Sequence, residues 1–144
     1  MNDNPDSSEK NFKSTNIINL NSGEDRERIS HSALRAYLNI VDKWQINEEQ
    51  ADELLGNDPS SFNEPRNMTG KTLDSNRLIR ISYLIGIVRA LHQLYGGTLA
   101  DKWVKMPNQN SLFNGGSPLD LMRMGGVEAL KSVRIMLDSR QNTI

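Results

Sequence analysis

Few residues in this chain could carry out chemistry, and none has a catalytic spacing. The chain has no cysteine, which excludes a thiol nucleophile, a disulfide framework and an iron–sulfur centre. Its two histidines, His31 and His92, are far apart in the sequence. Ser7 and Lys10 have the spacing of a serine–lysine catalytic pair, but they lie in a polar N-terminal stretch. We therefore expect a protein that is not an enzyme, with no catalytic residue, cofactor or metal site.

The glycine pairs of the chain mark helix ends rather than a phosphate-binding loop. They stand at 96–97, 115–116 and 125–126, and none belongs to a loop that ends in Gly-Lys-Ser/Thr. No apolar run approaches the roughly 20 residues that a membrane span needs. The opening MNDNPDSSEK has neither the basic nor the apolar region of a secretory signal. These features predict a cytoplasmic protein with no membrane partner.

The charges are unevenly distributed along the chain. The formal net charge is -1, but residues 1–23 contribute -1, residues 24–70 contribute -5 and residues 71–144 contribute +5. Such an asymmetry indicates the kind of partner rather than the fold. The basic C-terminal part is suited to an acidic surface on another protein.

Apolar residues recur at helical spacing throughout the chain, and no stretch alternates as a strand does, which predicts an all-α protein. Residues 1–23 are rich in Asn and Ser, and we expect them to form a flexible arm. Residues 108–116 are expected to be a loop. The predicted helices are 30–45 with Ser30 or Ser32 as its cap, a short helix between Asn47 and Gly56, 74–95, 98–105, a short helix from Ser117 to Gly125, and 126–139.

The helix after Asn47, the turn at Gly56 and the segment 60–65 have the outline of a helix-turn-helix. Residues 47–70 carry six acidic side chains against the single base Arg66, which is unfavourable for contact with a polyanion. The candidate DNA-binding residues of this region are Ser60, Ser61, Asn63, Arg66 and Lys71.

Four stretches of the sequence resemble the Xre/MbcA/ParS antitoxins, which are the partners of RES-domain toxins in type II toxin–antitoxin modules. The stretches are NEEQADELLG, RISYLIGIVRALHQLYG, ADKWVKMPNQN and GGSPLDLMRMGGVEALKSVRIML, and the resemblance covers about residues 30–140. It implies a Cro/repressor-like helix-turn-helix bundle at 24–95, followed by a small helical toxin-binding domain at 96–144.

The same resemblance implies a function. A member of this family binds a RES-domain toxin, which degrades NAD, and blocks its active-site cleft. Such antitoxins often form a homodimer or a larger complex with the toxin, and often repress their own promoter by binding operator DNA. Two alternatives are a helix-turn-helix transcriptional regulator without a toxin partner and a helical interaction module of unrelated purpose. The candidate toxin-binding residues are Arg123, Lys131, Arg134, Asp138 and Arg140.

Overall fold

The computed structural model describes residues 19–57 and 72–142. These two ranges are helical and contain no strand, which confirms the predicted all-α class. They hold five α-helices, numbered α1 to α5, and one short 3-10 helix. The helices are α1 Gly23–Trp44, α2 Glu48–Leu55, α3 Ser75–Tyr95, α4 Gly97–Trp103 and α5 Pro118–Asn142, and the 3-10 helix is Ser111–Phe113.

Helix α1 begins earlier than the predicted residue 30. Its N-cap is Ser22, whose side chain accepts a hydrogen bond from the backbone N–H of Asp25. The prediction that Ser30 or Ser32 caps the helix is wrong, because both lie inside it. The first turn carries no apolar side chain that periodicity could detect, and acidic residues there favour the positive end of the helix.

Ser30 has a different role from the predicted one. Its side chain is buried, and its Oγ accepts a hydrogen bond from the backbone N–H of Leu73 at 2.8 Å. This contact joins the middle of α1 to the residues that lead into α3. The turn before α1 takes up residues 19–22 of the predicted arm, and residues 1–18 lie outside the described residues.

The two ends of helix α2 form as predicted. Asn47 accepts a hydrogen bond from the backbone N–H of Gln50 at 2.8 Å, and the Gln50 side chain accepts one from the backbone of Asn47 at 3.1 Å. Gly56 ends the helix with φ 83°. The segment 60–65 that would complete a helix-turn-helix lies outside the described residues, so that part of the predicted architecture stays a prediction.

Helix α3 lies at the centre of the fold. Asp74 is its N-cap, and α1, α2, α4 and α5 all pack against it. Its apolar side chains extend around most of its circumference. Other helices must therefore pack on several of its sides to bury this apolar surface. The hydrophobic core is one cluster that includes residues of all five helices and of the 3-10 helix.

The C-terminal part of the chain has shorter elements. Helix α4 starts at Gly97 and ends at Trp103, close to the predicted 98–105. The predicted loop at 108–116 contains the 3-10 helix, and Phe113 of that helix packs edge-on against Trp103 with ring centroids 5.8 Å apart. This contact holds the loop against α4.

Helix α5 unites the two helices that were predicted around the Gly125–Gly126 pair. Ser117 caps it as predicted, accepting a hydrogen bond from the backbone N–H of Asp120 at 3.2 Å. Gly126 has φ 68° and ψ −156°, which is not helical, so the axis changes direction there. Glycine adopts this backbone conformation without a side-chain clash. The second half of the helix continues to Asn142, beyond the predicted end at 139.

A polar cluster joins the C-terminal end of α2 to its neighbours. Arg80 of α3 donates from Nη1 to the carbonyl of Leu54 at 3.3 Å, at the end where a helix carries partial negative charge. Burial lowers the pKa of Arg80, and the neighbouring charge of Arg77 acts in the same direction.

A second polar contact joins α1 to α2. The hydroxyl of Tyr37 donates to the backbone carbonyl of Ala51. Burial raises the pKa of Tyr37, and the carboxylate of Asp52 also raises it.

We expect Tyr37→Phe to lower the free energy of unfolding by about 1 kcal/mol near neutral pH, because the Ala51 carbonyl loses a donor. Since its pKa is raised in the folded state, Tyr37 stays protonated there while the unfolded chain ionises above about pH 10. The native chain therefore loses this stabilisation as pH rises above about 10, and the difference in free energy of unfolding between it and Tyr37→Phe becomes smaller. Urea unfolding at neutral and alkaline pH measures this difference, with Tyr83→Phe as control. A difference that does not change with pH would contradict the prediction.

Candidate protein-binding surface

The second half of α5 has one buried side and one exposed side. Leu130, Val133 and Leu137 are buried at helical spacing and face the core. Ile135 lies between these positions in the sequence and is 57% exposed. Before the bend at Gly126, Met124 is 78% exposed. Large apolar side chains at such exposure contribute little to the core, and clusters of them are typical of surfaces that bind another protein.

Two shallow hollows border this exposed side. One, of about 440 Å³, is lined by Leu112, Ile135, Met136 and Arg140 among others. The other, of about 420 Å³, is lined by residues that include Leu112 and Met124. Since Leu112 of the 3-10 helix lines both, the hollows adjoin. We call this surface the α5 face and define it by Leu112, Leu121, Met124, Ile135 and Met136.

Lys131 and Arg140, two of the predicted toxin-binding residues, lie at the edge of the α5 face. Lys131 is exposed and stands one helical turn before Ile135. Arg140 lines the same hollow as Ile135, and its Nη1 donates to the hydroxyl of Tyr95 at 2.6 Å. The result is an apolar centre with positive charge at its edge, as protein interfaces commonly have.

Arg134 and Asp138 lie on the flank of α5 that faces α3. The Nε of Arg134 donates to both carboxylate oxygens of Asp138, at 3.1 and 3.0 Å. The guanidinium lies against Gly86 of α3, where a Cβ would overlap its Nη1. The absence of a side chain at Gly86 is therefore what lets Arg134 cross to α3. Each of the two side chains still exposes about two-fifths of its surface.

Arg123 is directed toward α2. Its Nε donates to Glu53 at 2.8 Å, and its Nη1 donates to Asp120 at 2.9 Å. The first contact joins the first half of α5 to α2 across 70 residues of sequence. The geometry therefore gives Arg123 a structural partner, whereas it leaves Lys131 open to a partner molecule.

The candidate DNA-binding residues Ser60, Ser61, Asn63, Arg66 and Lys71 lie outside the described residues. Helix α2, which would precede a recognition helix, has acidic residues in its first turn and no base in its last turn.

The two arginines of α3 nearest to α2 are engaged within the molecule. Arg77 donates from Nε to Asn57 at 2.7 Å and pairs with Asp74 at 3.0 Å. Arg80 is held by Leu54, as above, and by Asn76 at 2.8 Å. These bonds hold both guanidinium groups against the molecule and would compete with contact to a phosphate.

Sequence reasoning by charge did not find the apolar residues of the α5 face. A signal was present, because Ile135 falls outside the 3–4 spacing of the inward residues Leu130, Val133 and Leu137. An apolar residue on the polar side of an amphipathic helix is the pattern that indicates a contact. Leu112 carried no such signal, since its position depends on how the loop folds.

Residues 90–142 match the family described as the antitoxin Xre/MbcA/ParS C-terminal toxin-binding domain. The chain is also 32% identical over 109 residues to the uncharacterized protein y4oB of Sinorhizobium fredii (strain NBRC 101917 / NGR234), an alignment that covers 75% of this chain and 83% of that protein. This chain belongs to the Xre/MbcA/ParS antitoxin family. No solved structure matches it at a significant level.

The α5 face lies within the toxin-binding domain, as do all five predicted toxin-binding residues. The toxin-binding domain also includes the end of α3, so it shares that helix with the N-terminal part. Among the described residues, no group of acidic and histidine side chains is placed to hold a metal ion. No helix in the same ranges has the length and apolar character to cross a membrane.

We expect Arg123→Gln to lower the free energy of unfolding by about 0.5–1 kcal/mol, because its partly exposed ion pair joins two helices. Lys131→Gln is the matched control, since it removes an exposed charge from the same helix and should change stability by less than about 0.5 kcal/mol. Urea denaturation compares the two variants. Equal stability of both would contradict the structural role of Arg123.

Proposed function

We propose that this protein neutralises a RES-domain toxin, an enzyme that consumes NAD, by binding it through the α5 face and blocking its active-site cleft. The observation that carries the proposal is the exposed apolar surface of α5 within the toxin-binding domain. The identity of the toxin as a RES-domain protein rests on the family resemblance described above.

The composition of the α5 face supports a protein partner rather than a small ligand. Its hollows are shallow and open, whereas small-molecule sites enclose most of their ligand. Ile135 and Met124 would be buried by a partner, and each buried apolar side chain contributes about 1.5–3 kcal/mol before the costs of association. Lys131 and Arg140 would then select an acidic rim on the toxin and speed the encounter.

The position of the face on the last helix supports the blocking mechanism. Arg140 lies close to the end of α5, so a toxin bound over Ile135 would also contact the last turn of that helix. A helix end that projects past the interface can occupy a cleft beside it. Inhibition would then follow from exclusion of NAD and need no reactive group on the antitoxin.

We expect Ile135→Asp to weaken binding to the cognate toxin by about 1–3 kcal/mol, or roughly tenfold to hundredfold in Kd, because it places a charge at the centre of an apolar contact. Leu99→Asp is the matched control, because Leu99 is 49% exposed but lines neither hollow of the α5 face. Co-expression, pull-down and calorimetry with the toxin measure the change.

Equal loss of affinity in Ile135→Asp and Leu99→Asp would contradict the assignment of the α5 face.

Charge reversal at Arg134 and Arg140 provides a second measurement, with residual NAD cleavage by the toxin as the readout. Intact neutralisation in the Arg134→Glu/Arg140→Glu variant would exclude both arginines from the contact.

The second role implied by the family is repression of its own promoter. The charges of α2 and α3 support this role less than the α5 face supports toxin binding. The acidic first turn of α2 and the engaged arginines of α3 do not favour a phosphate backbone. We expect the isolated protein to give no sequence-specific gel shift with its upstream promoter at physiological salt. A specific shift without toxin that Arg66→Glu abolishes would favour the alternative function, a helix-turn-helix regulator.

A further inference from the structure

A groove between α1 and α3 is separate from the α5 face. Its volume is about 480 Å³. Apolar side chains form most of its walls, and Arg89 and Arg134 stand at its edge. The apolar residues that line it are Leu20, Ile29, Ala33, Leu78, Ile81 and Ile85.

The chain enters the fold at this groove. The residues before α1 make a turn in which Ser22 N–H donates to the carbonyl of Asn19 at 3.0 Å. The backbone N–H of Asn19 donates to the carboxylate of Asp25 at 3.0 Å, and Arg26 Nη1 donates to the carbonyl of Leu20 at 2.9 Å. These contacts fix Leu20 in the wall of the groove, so they also fix the point from which residues 1–18 extend.

The two residues that come just before this fixed point are apolar. Ile18 is two residues from Leu20 and Ile17 is three, so their Cα atoms lie within about 7 and 11 Å of that of Leu20. Both are therefore within reach of one end of the groove. The groove offers apolar walls within reach of both side chains.

One polar group near the entry point also lacks a partner among the described residues. The Nε of Arg26 is buried and finds no hydrogen-bond partner within residues 19–57 and 72–142. A buried donor of this kind costs free energy until it is paired, and a backbone carbonyl of the entering chain could accept its hydrogen. Residues 1–18 also carry Asp3, Asp6 and Glu9, which can pair with arginines at the edge of the groove.

We propose that residues 14–18 dock in the groove between α1 and α3 of the same chain, with Ile17 and Ile18 as the anchors. The segment then covers the apolar walls and lies beside Arg134, which borders the groove from α5. The turn fixed by Asp25 and Arg26 favours this chain over a second copy, because Ile18 cannot move far from its own Leu20.

Cross-linking tests the proposal directly, since the chain has no cysteine of its own. Asn16→Cys and Ser82→Cys place one thiol beside the anchors and one on the exposed edge of the groove. A short bis-maleimide should join them within one chain, and Ile17→Asp/Ile18→Asp in the same background should remove most of that product. An unchanged yield would overturn the proposal, and cross-linked dimers in its place would assign the groove to a second copy.

Stability gives an independent measurement. Ile17→Asp/Ile18→Asp in the full-length chain should raise the equilibrium constant of unfolding by at least about tenfold, because two apolar side chains leave the groove. Ser14→Asp/Thr15→Asp is the matched control, since it adds the same charge to the same segment and keeps both isoleucines. Equal effects of the two pairs would overturn the proposal. Neither measurement requires the toxin, so the outcome is independent of the proposed function.

Discussion

The burial of helix α3 on several sides is the constraint on which the rest of the structure depends. Its apolar residues extend around most of the helix, and such a helix is stable in water only when other elements surround it. Helices α1, α2, α4 and α5 supply that cover. The N-terminal part and the toxin-binding domain therefore meet on one helix, which gives the toxin-binding domain a rigid base.

Polar contacts then fix how the surrounding helices sit on α3. Arg80 binds the C-terminal end of α2, and a side chain at Gly56 would force its guanidinium to shift. Arg123 joins α5 to α2 through Glu53, and Arg134 lies over Gly86. Three of the bases that make the C-terminal part positive thus serve contacts inside the molecule. Of the exposed bases of this part, Lys131 lies at the edge of the α5 face, whereas Arg89 and Lys102 lie away from it.

The α5 face exists because α5 needs only one apolar stripe to pack on α3. Leu130, Val133 and Leu137 satisfy that need, so Ile135 and Met124 are not required by the core. The 3-10 helix widens the surface by bringing Leu112 beside α5, and the contact between Phe113 and Trp103 holds it there. The residues of the α5 face are thus positioned by helix α5 and by a loop that packs against α4.

The sequence by itself determined the helical class, most helix ends and the basic character of the toxin-binding domain. It did so because caps, glycine stops and apolar spacing act over a few residues, as at Asn47, Gly56, Asp74 and Ser117. Only the tertiary structure decided which bases point inward, how Leu112 joins the α5 face and why Ser30 is buried rather than a cap. Those outcomes depend on contacts such as Arg123 with Glu53 and Ser30 with Leu73, whose partners are far apart in the chain, so no local pattern records them.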